Sequence, residues 1–216
     1  HMNVKQSLLK AGLVILGTTL SLGLVEAKPA QALEMFTLNS DSGFRNDSWS
    51  FGEIFTPNTD IEVTSLGAYD NGGNGFATPG GIPVGIFRES DNSLLSSTLI
   101  QSTDQLINKF RYQTIAPILL NAGEAYRVVG VNRDDVYNVA SGFSVNSLIN
   151  RTGHGYCRTG FLTSCNQFTG SDRVWMANFQ ANEAQVVPAP AAVLPGLFGM
   201  GMAAIRKRKQ TATEEA

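Results

Sequence analysis

Between residues 33 and 186 short apolar runs alternate with clusters of Gly, Ser, Asn and Asp, and no stretch sustains a 3.6-residue apolar period. That rhythm predicts strands over 51–55, 61–69, 82–88, 94–100, 110–118, 125–131 and 173–180. In Ile61, Val63, Ser65 and Ala68-Tyr69 the alternation marks one buried face. Asp91-Asn92-Ser93 separates two such runs and predicts a hairpin over 82–100. Asn121-Ala122-Gly123-Glu124 predicts a second tight connection, joining 112–120 to 125–131. The elements add up to an all-β fold, a single antiparallel β-sandwich of jelly-roll-like form.

The two ends follow another pattern. His1-Met2 reads as a cloning remnant ahead of the natural start. Residues 3–32 have the three parts of a secretory signal: Lys5 and Lys10, an apolar run of 15 residues over 11–25, and the small-x-small site Ala30-Gln31-Ala32. The run is shorter than the roughly 20 residues of a spanning helix and has no polar face. At the other end a Pro motif leads into a glycine-spaced apolar segment over 191–205 and then Arg206-Lys207-Arg208-Lys209. A helix of small residues can enter a bilayer while the four cations stay on the cytoplasmic side. The expected organisation is a leader over 1–32, an extracellular domain over 33–186 and a sorting segment over 187–216.

The tail Val187-Pro188-Ala189-Pro190-Ala191, followed by Leu194-Pro195-Gly196-Leu197-Phe198-Gly199-Met200-Gly201, resembles the PEP-CTERM class of bacterial sorting signals, in the variant common in cyanobacteria. Ala189 stands where that family usually has Glu or Thr. The resemblance implies recognition by an exosortase-type membrane peptidase, transient anchoring by the C-terminal helix, and delivery to the cell surface or extracellular matrix. Its site residues here are Val187, Pro188, Pro190, Arg206, Lys207, Arg208 and Lys209. A second likeness runs through Phe55-Thr56-Pro57, Val63-Thr64-Ser65-Leu66-Gly67, Asp70-x-Gly72-Gly73-x-Gly75, Pro83-Val84-Gly85-Ile86-Phe87, Phe110-Arg111-Tyr112 and Ala122-Gly123-x-Ala125-Tyr126. These phrases are similar to a β-sandwich module of uncharacterised function in secreted bacterial proteins. That likeness implies a fold and a location, not an activity.

Without its ends the domain has nine cations against fifteen carboxylates, a net charge of about −6. The cations are spread along the sequence, so nucleic acid is not an expected partner. Cys157 and Cys165, the only cysteines, follow a secretory signal and are expected to form a disulfide across the Gly-rich stretch 153–170. His154 has no evident partner and reads as a polar loop residue. Gly-x-Ser-x-Gly is absent and no paired-carboxylate motif occurs, so no acid, base or nucleophile can be assigned and no enzyme is expected.

Two binding chemistries remain. Asp70-Asn71-Gly72-Gly73-Asn74-Gly75 offers oxygen donors at alternate positions, which suits calcium, with Asp70, Asn71 and Asn74 as first ligands and Asp134 or Asp135 completing the shell. The same residues suit a glycine-rich turn, the reading favoured by the lack of a distal bidentate Glu. No other cofactor is expected. Trp49, Tyr137, Tyr156 and Phe161 fall in expected loops among Asn, Asp, Arg and Ser, a setting in which sugar rings stack. Core packing accounts for Trp49 equally well, and Trp175 is assigned to the core. The leading expectation is a non-enzymatic surface or matrix protein associated with exopolysaccharide; the alternative is a lectin-like module, calcium-assisted if the Asp70 loop binds the ion.

Overall fold

A computed structural model describes residues 32–139, 142–165, 167–168 and 174–185. The expected leader and the expected sorting segment, with its Pro motif and basic stop, lie outside these residues. Among the described residues no helix is long and apolar enough to cross a membrane.

The described chain is all-β. In order the strands are β1 (Leu33–Glu34), β2 (Phe36–Leu38), β3 (Gly43–Phe44), β4 (Ser50–Pro57), β5 (Ile61–Tyr69), β6 (Ile82–Arg88), β7 (Leu94–Ile100), β8 (Gln105–Ile107), β9 (Phe110–Leu120), β10 (Tyr126–Val131), β11 (Tyr137–Asn138), β12 (Phe143–Val145), β13 (Ile149–Cys157), β14 (Gln167–Phe168) and β15 (Ala177–Glu183). Two curled antiparallel sheets carry the fold: a five-stranded sheet ordered β1-β15-β5-β9-β8 and a six-stranded sheet ordered β14-β13-β4-β10-β6-β7. Two short ladders, β3 with β11 and β2 with β12, form separate two-stranded sheets. The core lies between the sheets, where Phe55 of β4 packs on Phe179 of β15 with ring centroids 4.7 Å apart.

The hairpin expected over 82–100 forms, with Ile82 opposite Ile100. The connection at Asn121–Glu124 is tight but is not a hairpin: β9 pairs with β5 and β8, whereas β10 pairs with β4 and β6. It is a corner passing from one sheet to the other, next to the equivalent corner between β4 and β5. Gly123 N donates to Pro57 O at 3.0 Å and Ala122 N to the Asp60 carboxylate at 2.8 Å. Tyr126 fixes the turn by accepting Asn121 N at 3.0 Å and donating to Glu124 Oε2 at 2.7 Å. Local turn chemistry is thus satisfied while strand pairing is decided by long-range burial.

β5 alternates as expected over Ile61–Val63, but a bulge between Val63 and Ser65 breaks the register, and from Ser65 onward both faces are covered. β13 was not expected at all. It pairs along β4 from Ile149 opposite Pro57 to Cys157 opposite Ser50. The strands give the domain two poles. Pro57, Ile61, Leu120 and Glu183 mark one; Phe51, Tyr69, Phe110 and Ala177 mark the other. The first pole holds the corners and Gln185, reached through Ala184 N bonded to Asp60 O at 2.8 Å, and Leu33 lies toward the same end opposite Ala181. The second pole gathers the longer loops, about 20 Å away along the six residue steps from Phe51 to Pro57.

Candidate functional site

Three of the four aromatic residues singled out in the sequence converge at the second pole. Asn46, Trp49, Phe51, Tyr137, Tyr156 and Val174 line a cleft of about 230 Å³. The cause is register: Phe51 of β4 lies directly opposite Tyr156 of β13, so their rings share one sheet face. Trp49 stacks on Phe51 at 6.1 Å and meets Tyr156 edge-on at 5.9 Å; Tyr137 lies 4.5 Å from Phe51. Tyr137 and Tyr156 are strand residues, not loop residues as the sequence indicated, and Tyr137 is buried. Phe161 stays apart from the cleft lining, 78% exposed on the loop after β13.

Trp49 is held at both ends. Its backbone N donates to Asn132 Oδ1 at 2.7 Å, and its indole Nε1 donates to Asn46 Oδ1 at 2.7 Å. The Tyr137 hydroxyl donates to the same Asn46 oxygen at 2.9 Å. Burial raises the Tyr137 phenol above its ordinary range, so it is a neutral donor. Among the described residues every lining side chain is uncharged.

Under the cleft lies a charged cluster that sequence reading missed. His154 is fully buried in β13 opposite Glu53, not in a loop, and its ring lies between Phe51 and Tyr156 at 6.1 Å from each. Glu53 Oε1 lies 2.8 Å from His154 Nδ1, and Arg151 Nε donates to Oε2 at 2.5 Å. Arg151 in turn packs on Phe143 and Trp175, its guanidinium carbon 5.6 and 5.4 Å from the ring centroids. Trp175 is fully buried, as the sequence implied. Arg151, His154 and Tyr156 share one face of β13 only because of the bulge between Arg151 and Gly153, and their spacing carries no apolar period that the sequence could show.

The expected disulfide forms, joining Cys157 to Cys165 with Cα atoms 5.3 Å apart. Gly153 and Gly155, at the start of that Gly-rich stretch, are buried within β13. The closed loop lies on the outer face of the six-stranded sheet, where Ser50 Oγ donates to Thr163 O at 3.1 Å and Ser164 Oγ to Asn92 Oδ1 at 3.0 Å.

The Asp70 loop is built around an arginine. Asp70 is buried; it accepts Arg111 Nε at 2.5 Å and Gly75 N at 2.9 Å, while Arg111 donates its remaining nitrogens to the carbonyls of Gly73 and Asp104, both at 2.9 Å. Gly72 and Gly73 take φ of +74° and +71°, the left-handed backbone that glycine supplies at low cost. Asn71 and Asn74 do meet Asp134 and Asp135 around a hollow of about 370 Å³, but Asp70 is not among its lining. Asp135 already accepts Ala77 N and Thr78 N at 2.7 and 2.8 Å, and Asp134 pairs with Arg45 at 3.0 Å. Among the described residues no three of His, Cys, Asp and Glu converge as metal ligands.

No protein-family model matches the chain, and no curated protein matches it. What the site does must be argued from its own geometry.

Proposed function

We propose that the chain is an exported, non-enzymatic surface or matrix protein that engages extracellular polysaccharide through the Trp49–Tyr137–Tyr156 cleft. The observation that carries this reading is the convergence of three aromatic side chains with uncharged hydrogen-bonding groups in one cleft at a pole. Flat apolar faces rimmed by neutral donors match the alternation of C–H faces and hydroxyls on a sugar ring. The volume lies below the roughly 300–1,000 Å³ of pockets that take drug-sized ligands, a scale that suits one ring of a polymer.

The two curled sheets read as a jelly-roll-like sandwich, since consecutive strands such as β4–β5 and β9–β10 straddle both sheets. The leader and sorting tail supply a route to the surface, in which an exosortase-type peptidase acts on the tail while its apolar segment holds the chain transiently in the membrane. The ends of the described chain agree with that arrangement: Leu33 and Gln185 both lie toward the corner pole, opposite the cleft.

The test is retention of the full chain on insoluble polysaccharide from a cell-surface matrix. Retention that Trp49→Ala or Tyr156→Ala abolishes, with melting temperature preserved, is the expected result. No retention on any matrix polymer sinks the reading. Intact-mass analysis of protein recovered from the cell surface checks the route, since cleavage near residue 32 and within the tail is expected.

A further inference from the structure

We infer that the occupant of the cleft is an uncharged pyranose and that Asn46 determines its specificity; this inference rests on the polysaccharide reading above. It starts from how the Asn46 amide is locked. Two donors, the Trp49 indole and the Tyr137 hydroxyl, fix Oδ1 at 2.7 and 2.9 Å, and an amide with its oxygen so placed has its nitrogen assigned as well. Asn46 Nδ2 donates to no described residue, and the Tyr156 hydroxyl makes no hydrogen bond to one either. The cleft therefore presents two unspent neutral polar groups beside the faces of Trp49 and Tyr156. Nδ2 can only donate, so the ligand must offer an acceptor oxygen there; the Tyr156 hydroxyl can take either role.

Charge fixes the class of sugar. Among the described residues no lining side chain is cationic, so a uronate or sulfated ring would lose hydration without gaining a counter-charge from them. The domain's own charge of about −6 would also repel a polyanion. A neutral hexopyranose, or an N-acetylated one whose amide carbonyl meets Nδ2, fits the rings and the donor together. The pre-set geometry matters as well: Trp49 is already tied at its backbone and its indole, so little ordering is left for binding.

The experiment uses the full chain with three probes: cellohexaose, chitohexaose and a hexamer of guluronate. Trp49 and Trp175 are the only tryptophans, and only Trp49 is partly exposed, so a change in tryptophan emission reports on the cleft. A neutral hexamer should shift the emission with an affinity that is the same at 50 and 500 mM salt, and the guluronate hexamer should not. Asn46→Asp keeps an oxygen for Trp49 and Tyr137 but replaces the donor by an anionic acceptor; it should weaken neutral binding about tenfold or more, the scale of one lost hydrogen bond. Binding of guluronate alone, salt-sensitive binding, or an Asn46→Asp chain that binds neutral hexamers unchanged would overturn the inference while leaving the polysaccharide reading standing. Silence with all three probes, in a chain that matrix polymer also fails to retain, defeats both.

Discussion

Arg127 lies across Gly52: a Cβ on that glycine would stand 2.6 Å from Arg127 Cδ and 2.7 Å from Cγ. The guanidinium continues to Gly155 of the next strand, where a Cβ would meet Nη1 at 3.0 Å. Gly52 and Gly155 are paired across β4 and β13, so two glycines in register form a trough on the outer face of the sheet. Arg127 fills it, fully buried, with Glu89 2.8 Å from its Nε and the Cys165 carbonyl accepting from Nη1. The disulfide loop is the lid of this charge, which is why an arginine can be buried on the face away from the core.

Gly52→Ala should therefore cost about 1–3 kcal/mol, the usual penalty of overpacking a filled site. Gly153→Ala is the control, because its Cβ would find only Ile54 Cδ1 at 3.6 Å, and it should change stability by less than about 0.5 kcal/mol. Urea midpoints of the two variants decide; equal midpoints would rule out the trough.

Opening the disulfide by Cys157→Ser with Cys165→Ser should lower stability by about 2–3 kcal/mol for so short a loop. Because the loop also covers Arg127, the loss should be larger in the native Arg127 chain than in an Arg127→Met background. Additive losses in that double-mutant cycle would show that loop and arginine are independent.

What the sequence could disclose follows from where burial is apolar. The three-residue β8 was too short to register, whereas β4 to β7, β9 and β10 were legible because Phe, Ile, Val and Leu recur there and turn residues separate them. β13 was not, since its inward face carries Arg151, His154 and Tyr156, and its outward glycines make room for Arg127 rather than for a turn. The aromatic residues of the cleft could be singled out by type, yet their convergence depends on the Phe51–Tyr156 register, which only the pairing of β4 with β13 supplies. The ion pair of Asp70 was not legible for a similar reason: its partner Arg111 is 41 positions away.

Glu53→Ala should be among the most damaging single changes, at about 3–5 kcal/mol, because it takes the carboxylate from both Arg151 and His154 at a buried site. His154→Phe keeps a ring between Phe51 and Tyr156 and leaves the Glu53–Arg151 pair intact, so its loss should be clearly smaller. Chemical denaturation of the two variants gives the order, and a reversed order would mean that the ring stacking, not the ion pair, holds β13 on β4.

At alkaline pH Tyr112 should control the loss of stability. Burial first, then the negative charge of Glu34, whose Oε1 accepts the phenol at 2.6 Å, hold its pKa well above the ordinary value of about 10. Above that value the unfolded chain releases a proton that the folded chain keeps, so stability is present below about pH 10 and falls as pH rises through the folded value. Tyr112→Phe should flatten the fall of melting temperature between pH 9 and 11. The remaining slope should come largely from Tyr69, which burial also raises. Parallel curves for the two chains would remove Tyr112 from this role.

Asp70→Asn separates the two readings of the glycine-rich loop. If Asp70 serves Arg111, the substitution weakens a buried ion pair that ties Gly73, Gly75 and Asp104 together, and the melting temperature should drop by the same amount in chelator and in millimolar calcium. If Asp70 serves calcium, the native chain gains stability when the ion is added, because a ligand that binds only the folded state must raise its stability, and the variant loses that gain. The arginine at 2.5 Å favours the first outcome: with a guanidinium already on the carboxylate, a divalent cation would have to displace it or share its charge. A calcium-dependent rise in melting temperature in the native chain, absent from Asp70→Asn, would reverse this assignment and make Asn71, Asn74, Asp134 and Asp135 ligands rather than the rim of a hollow.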